Sequence, residues 1–140
     1  ARTTDPNIYA CGDCSMLPFK GSRTRLESVQ NANDQGAAVA ANIAGSGQSY
    51  NPEPWFWSDQ FDMKLQIAGL NRGYDKIIIR PGKREGSRSH FYFRKGKFIA
   101  VDCMNDAAVY AMSRRILASD ATLTPEQAAD TDFNMKSLLA

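Results

Sequence analysis

Few residues of this 140-residue chain have types and spacing that could do chemistry. Cys11-Gly12-Asp13-Cys14 has the spacing of a redox dithiol or of half a zinc site. No second cysteine pair follows, and the single histidine, His90, lies far along the chain, so a zinc site lacks ligands and no metal is expected. A thioredoxin-type motif opens a helix, whereas these cysteines flank a Gly-Asp turn. His90 has no acid or serine at motif spacing and reads as a satisfied or surface histidine. Asp59 and Asp62 stand three apart in an expected strand or turn, which aims them at different faces. Gly45-Ser46-Gly47 begins like a dinucleotide fingerprint, but it follows a helical pattern instead of opening one, and the last glycine is missing. What remains is Gly12-Asp13. A residue without a side chain is followed by a carboxylate able to accept two hydroxyl hydrogen bonds, an arrangement that suits a polyol laid across the backbone.

The elements that would position these residues follow from pattern and punctuation. Asp5-Pro6 starts the first element, and Ile8-Tyr9-Ala10-Cys11 reads as a short buried strand ending at Gly12. Residues 15–25, with Pro18 and Gly21, read as a loop. Ser28 can cap a helix from about Val29 to Ala44, with Val29, Ala32, Gly36, Val39, Ala40 and Ile43 as its apolar face. The Gly, Ser, Asn and Pro residues between Gly45 and Pro54 mark a boundary, giving domains 1–50 and 51–140. Beyond it, Trp55-Phe56-Trp57, the alternating Met63–Ala68, the β-branched Lys76–Arg80 and the pair Phe91–Phe93 and Phe98–Val101 predict strands. The last two form a hairpin across Arg94-Lys95-Gly96-Lys97. Asp106 caps a helix, and Thr124-Pro125-Glu126-Gln127 is a capping box. The expected fold is α+β: an antiparallel sheet of about five strands with helices on one face, preceded by a strand–helix segment.

Bulk properties exclude other classes. The net charge of +2 is too small to imply nucleic acid, no apolar run approaches membrane-spanning length, and three cysteines do not suit a disulfide framework. A cytoplasmic protein is the expectation. Charge is nevertheless uneven. Arg80, Lys83, Arg84, Arg88, Arg94, Lys95 and Lys97 stand against Glu85 alone, while Asp120, Glu126, Asp130 and Asp132 carry the tail. Either stretch could be plain solvated surface.

Two longer stretches add a family resemblance. Arg25-Leu26-Glu27-Ser28-Val29-Gln30-Asn31-Ala32-Asn33-Asp34-Gln35-Gly36 and Pro54-Trp55-Phe56-Trp57-Ser58-Asp59-Gln60, in order with Gly73-Tyr74-Asp75 and Ala100-Val101-Asp102, resemble the FAD-dependent ferredoxin and rubredoxin reductases. The resemblance runs to about Leu117. It implies that residues 1–50 are the C-terminal segment of an FAD-binding Rossmann-like domain and that 51–140 is the reductase C-terminal domain. It further implies FAD as cofactor, NAD(P)H as co-substrate and an iron–sulfur ferredoxin or rubredoxin as partner. On the same grounds Gly12 and Asp13 would meet the ribityl hydroxyls, Ser28 and Val29 would present a helix N-terminus to the flavin ring, and Trp57 would lie at the flavin and nicotinamide edge. Glu27 matches an acidic position near the nicotinamide. Lys83, Arg84 and Arg88 could steer an acidic ferredoxin. The family binds both dinucleotides through N-terminal glycine fingerprints that these residues lack, so the chain alone is expected to be inactive. The alternative is a protein-interaction or dimerisation domain without redox activity, since the sheet domain also resembles, more distantly, that of apoptosis-inducing factor.

Overall fold

The structure, a computed structural model, describes residues 1–139 and divides the chain into two compact units, Ala1–Pro54 and the part from Trp55 onward. The expected boundary after residue 50 falls just before that division.

In the first unit a 3-10 turn at Gly12–Cys14 precedes a hairpin of β1 (Leu17–Phe19) and β2 (Ser22–Thr24), and then α1 (Val29–Ile43). The helix begins where Ser28 is extended and its hydroxyl accepts from the Asn31 N–H at 3.2 Å, satisfying one of the otherwise free first-turn donors. Two expectations are corrected here. Ile8–Cys11 is not a buried strand: among the described residues it makes one isolated bridge, Tyr9 to Arg2, no strand lies beside it to continue a ladder, and Ile8 is exposed. Residues 17–24 are a hairpin instead of loop, since Lys20 and Gly21 both take positive φ (44° and 81°) and form a two-residue turn that matches strand twist. The buried side of α1 also differs from the expected apolar stripe. Asn31, Gln35 and Val39 are inside, while Val29 and Ile43 are exposed.

The second unit is an antiparallel five-stranded sheet ordered β3 (Trp55–Gln60), β4 (Met63–Gly69), β7 (Lys97–Met104), β6 (Arg88–Arg94), β5 (Lys76–Pro81). Alternation puts Phe91, Phe93, Val101 and Cys103 on one face, where α2 (Ala107–Leu117), α3 (Pro125–Ala129) and a 3-10 segment at Met135–Leu139 cover them. Phe91 and Phe93 are fully buried, each stabilising the unit by roughly 1.5–3 kcal/mol. The opposite face leaves Phe56, Ile77 and Ile79 exposed.

The β6–β7 hairpin turns through Lys95 and Gly96, both at positive φ (50° and 74°). Just past it a bulge passes over Ile99: Phe93 pairs with Phe98, but Tyr92 pairs with Ala100. The Ile99 carbonyl presses on the spot a Cβ would occupy at Gly69, itself at φ +78°. Asp106 and Thr124 cap α2 and α3 as expected, the latter with both bonds of a capping box. The tail is no solvated appendage. Leu123, Ala128 and Met135 belong to the core, and the buried Arg80 donates to the carbonyls of Thr131 (2.8 Å) and Phe133 (3.2 Å).

Candidate functional site

In the first unit the Gly12–Asp13 turn is held from behind by α1. The Gly12 N–H donates to Gln35 Oε1 at 2.8 Å, and Ser15 Oγ lies 2.9 Å from both that oxygen and the Gly12 carbonyl. Gly12 sits at φ +77°, and a Cβ there would meet the Ala32 methyl at 3.5 Å. Glycine therefore suits both the backbone conformation and the close approach to the helix. Ala32 is one turn along α1 from Val29, about 4.5 Å of helix rise. The structure thus brings the Asp13 turn and the start of α1 together in one unit. Asp13 is exposed beside a glycine, so its carboxylate is free to accept hydrogen bonds.

Ser28 is half-buried and spent on capping, while the first N–H groups of α1 have no intrahelical acceptors and carry the positive end of the helix dipole. Asn31 stiffens this end: its amide donates to the Leu26 carbonyl (3.0 Å) and its oxygen accepts from Tyr50 Oη (3.0 Å). Burial, and secondarily Asp34, raises the Tyr50 pKa and keeps it a donor. Glu27 is exposed and 3.5 Å from Arg25, a surface pair of little energetic weight.

Trp57 lies in the second unit, on edge strand β3 and on the helix-covered face of the sheet. It is half-buried and stacks on Trp55 with ring centroids 5.4 Å apart. Trp55, not Trp57, packs on the core, and the Arg114 guanidinium lies 5.0 Å from its ring centroid. The two tryptophans share a face, as their spacing requires, but only one of them serves the core.

The basic residues sit elsewhere. Lys83 and Arg84 occupy the β5–β6 turn, and Arg88 begins β6, its Nε donating to Met104 Sδ at 3.3 Å. The cross-sheet row Trp57, Gln66, Cys103, Ser89, Arg80 spans all five strands. The turn is therefore at the opposite edge from Trp57, roughly 19 Å away at about 4.8 Å per strand.

Other titratable groups are structural. Burial pushes the Cys103 thiol up to about 12, with Ser89 Oγ 3.3 Å from its sulfur. Burial and the hydrogen bond to Asp102 (2.7 Å) push Tyr92 up to about 12. His90 departs from expectation: it is half-buried, and its Nε2 has no hydrogen-bond partner among the described residues. Among the described residues no cluster could hold a metal, and no helix is long and apolar enough to cross a membrane. Sequence reasoning missed Ser15, Asn31, Gln35 and Tyr50. The one signal for them was Asn31, Gln35 and Val39 at four-residue spacing.

Comparison with known proteins matches residues 55–139 to the family described as reductase C-terminal. The match extends well past Leu117, where the sequence resemblance was expected to fade. Rhodocoxin reductase of Rhodococcus erythropolis is 45% identical over 99% of this chain and 33% of its own length. The solved ferredoxin reductase for the CYP199A2 system from Rhodopseudomonas palustris is 46% identical, with TM-score 0.90 over 98% of this chain and 34% of that one. The covalent putidaredoxin reductase–putidaredoxin complex matches at 33% identity and TM-score 0.87, over 97% of this chain and 33% of the other. The chain thus spans about a third of the length of these relatives. With the sheet, its helical cover and the family match in agreement, the chain belongs to the reductase C-terminal family.

Proposed function

We propose that this chain is the C-terminal third of a cytoplasmic flavoprotein that passes electrons from NAD(P)H to an iron–sulfur ferredoxin or rubredoxin, in a chain of the monooxygenase or dioxygenase type. Residues 1–50 would complete an FAD-binding domain, and the rest would form the C-terminal domain. The observation that carries this reading is the Gly12–Asp13 turn, pinned through Gln35 to a helix that it approaches at Ala32, one turn from the capped N-terminus.

The residues fit the cofactor. FAD, when bound, supplies the hydride-accepting and one-electron chemistry. Asp13 would accept from the ribityl hydroxyls, and Gly12 lets that chain approach the backbone. The N–H groups at Val29 would favour negative charge on the pyrimidine side of the ring. Trp57 would cover the ring edge and exclude water, and Glu27 would lie toward the nicotinamide.

Lys83, Arg84 and Arg88 would orient an acidic partner through their field. Their distance from Trp57 is about two Debye lengths at physiological salt, so the contribution is to encounter and not to contact at the indole.

Flavin titration tests the reading. The chain alone should not retain FAD. In a longer protein carrying it, Asp13→Ala should raise the Kd for FAD about tenfold or more, the loss expected for hydrogen bonds to a charged acceptor. An unchanged Kd overturns the assignment of Asp13. A second reading, an interaction or dimerisation domain without redox activity, draws on the exposed Phe56, Ile77 and Ile79 of the uncovered sheet face. Concentration-dependent self-association without flavin retention in the longer protein would favour it.

A further inference from the structure

We infer that Cys11 and Cys14 form a thiol–disulfide modification site, with a small-molecule disulfide as its oxidant, built around the turn that carries Asp13. Both cysteines are free and exposed, whereas the third, Cys103, is fully buried. Cys11 is the N-cap of the 3-10 turn and Cys14 its last residue. Closing a disulfide asks the two Cα atoms to stand roughly 4.4–6.8 Å apart. The Cys14 thiol is already turned back, donating to the Cys11 carbonyl at 3.3 Å. The hold on Gly12 by Gln35 and Ser15 fixes the intervening backbone, so little conformational freedom is lost on closure.

The chemistry balances with glutathione disulfide as oxidant. The Cys11 thiolate attacks one of its sulfurs, the S–S bond breaks, and one glutathione thiolate leaves. Cys14, whose sulfur already reaches the Cys11 backbone, then attacks the mixed disulfide at the Cys11 sulfur and expels the second glutathione thiolate. Two protein thiols lose two electrons, glutathione disulfide gains them, and the two cysteine protons end on the two glutathiones. The product clamps both flanks of Gly12-Asp13.

The test needs no flavin, so its failure is separable from failure of the flavin reading. The 140-residue chain is equilibrated with pure oxidised glutathione, alkylated, digested with trypsin and weighed. The expected result is loss of two of the three alkylatable thiols, with the peptide holding Cys11 and Cys14 two hydrogens lighter and carrying no adduct. Cys103 should react only after unfolding, which reports that the chain stayed folded. Cys14→Ser should trap the glutathione adduct on Cys11. Unreacted thiols, a lasting mixed disulfide in the unaltered chain, or linkage between chains would each overturn the proposal.

Discussion

The two units bury apolar and polar residues in different proportions. From Trp55 onward the interior is Phe91, Phe93, Val101 and Ile116, and polar groups stand mostly outside. In Ala1–Pro54 the fully buried side chains are Gln35 and Thr24, while Ile8, Met16, Val29 and Ile43 are exposed. One unit is held mainly by apolar area removed from water. The other buries Leu17, Leu26 and Val39 but leans on directed hydrogen bonds from α1 to a loop, with several of its larger apolar groups facing outward. The difference bears on the proposed site. A loop that, in that proposal, presents the Asp13 carboxylate in one geometry is better fixed by hydrogen bonds, which have direction, than by apolar packing, which has none.

The contrast can be broken from its apolar side first. Phe91→Ala should cost about 3–5 kcal/mol by creating a cavity in the sheet core. Both tryptophans lie in that unit, so their fluorescence in a urea titration reads the loss directly. A shift below about 1 kcal/mol would mean that the interior re-forms around the gap.

A smaller loss should come from the polar side. Gln35→Leu keeps the bulk but strands the Gly12 N–H, for about 1–3 kcal/mol. Hydrogen exchange at Gly12 should accelerate while tryptophan unfolding stays put. Movement of both together would deny that the units are held independently.

The most gradual effect is a slope with pH. The Cys103 thiol and the Tyr92 phenol bind their protons more tightly when folded, at about 12 against ordinary values of 9.0 and 10.0. Below pH 9 neither group contributes a slope. As pH rises from about 9 to 12 the unfolded chain loses these protons first, so stability falls across that window. Tm read by tryptophan fluorescence should decline there, and Cys103→Ala should flatten part of the decline. A Tm that is flat to pH 12 in the unaltered chain would contradict the burial of both groups.

Much of the second unit was legible because its signals are local. The Thr124 capping box, the Asp106 cap and the Lys95-Gly96 turn each act within a few residues. The first unit was less legible for the same reason. Gln35 meets Gly12 across 23 positions and Tyr50 meets Asn31 across 19, and no periodicity announces such pairs. The β1–β2 hairpin escaped notice because each strand has only three residues, too few to show alternation. Of the candidate site, residue types and family motifs named Asp13, Val29 and Trp57. The groups behind Asp13 and Val29 were invisible, because a buried glutamine looks like a surface one in sequence.

The bulge at Ile99 has a consequence for how the sheet tolerates change. Strand side chains alternate, so an added residue would ordinarily transpose the inward and outward sets. Here Phe98 and Val101 are both inside although three apart, an odd step, because Ile99 is counted on only one of the two strands. The surplus residue and the missing side chain at Gly69 are thus two halves of a single accommodation: one strand carries an extra carbonyl, and its neighbour leaves room for it. Gly69 has no room for a side chain while that carbonyl is in place, although thirty residues separate the two along the chain.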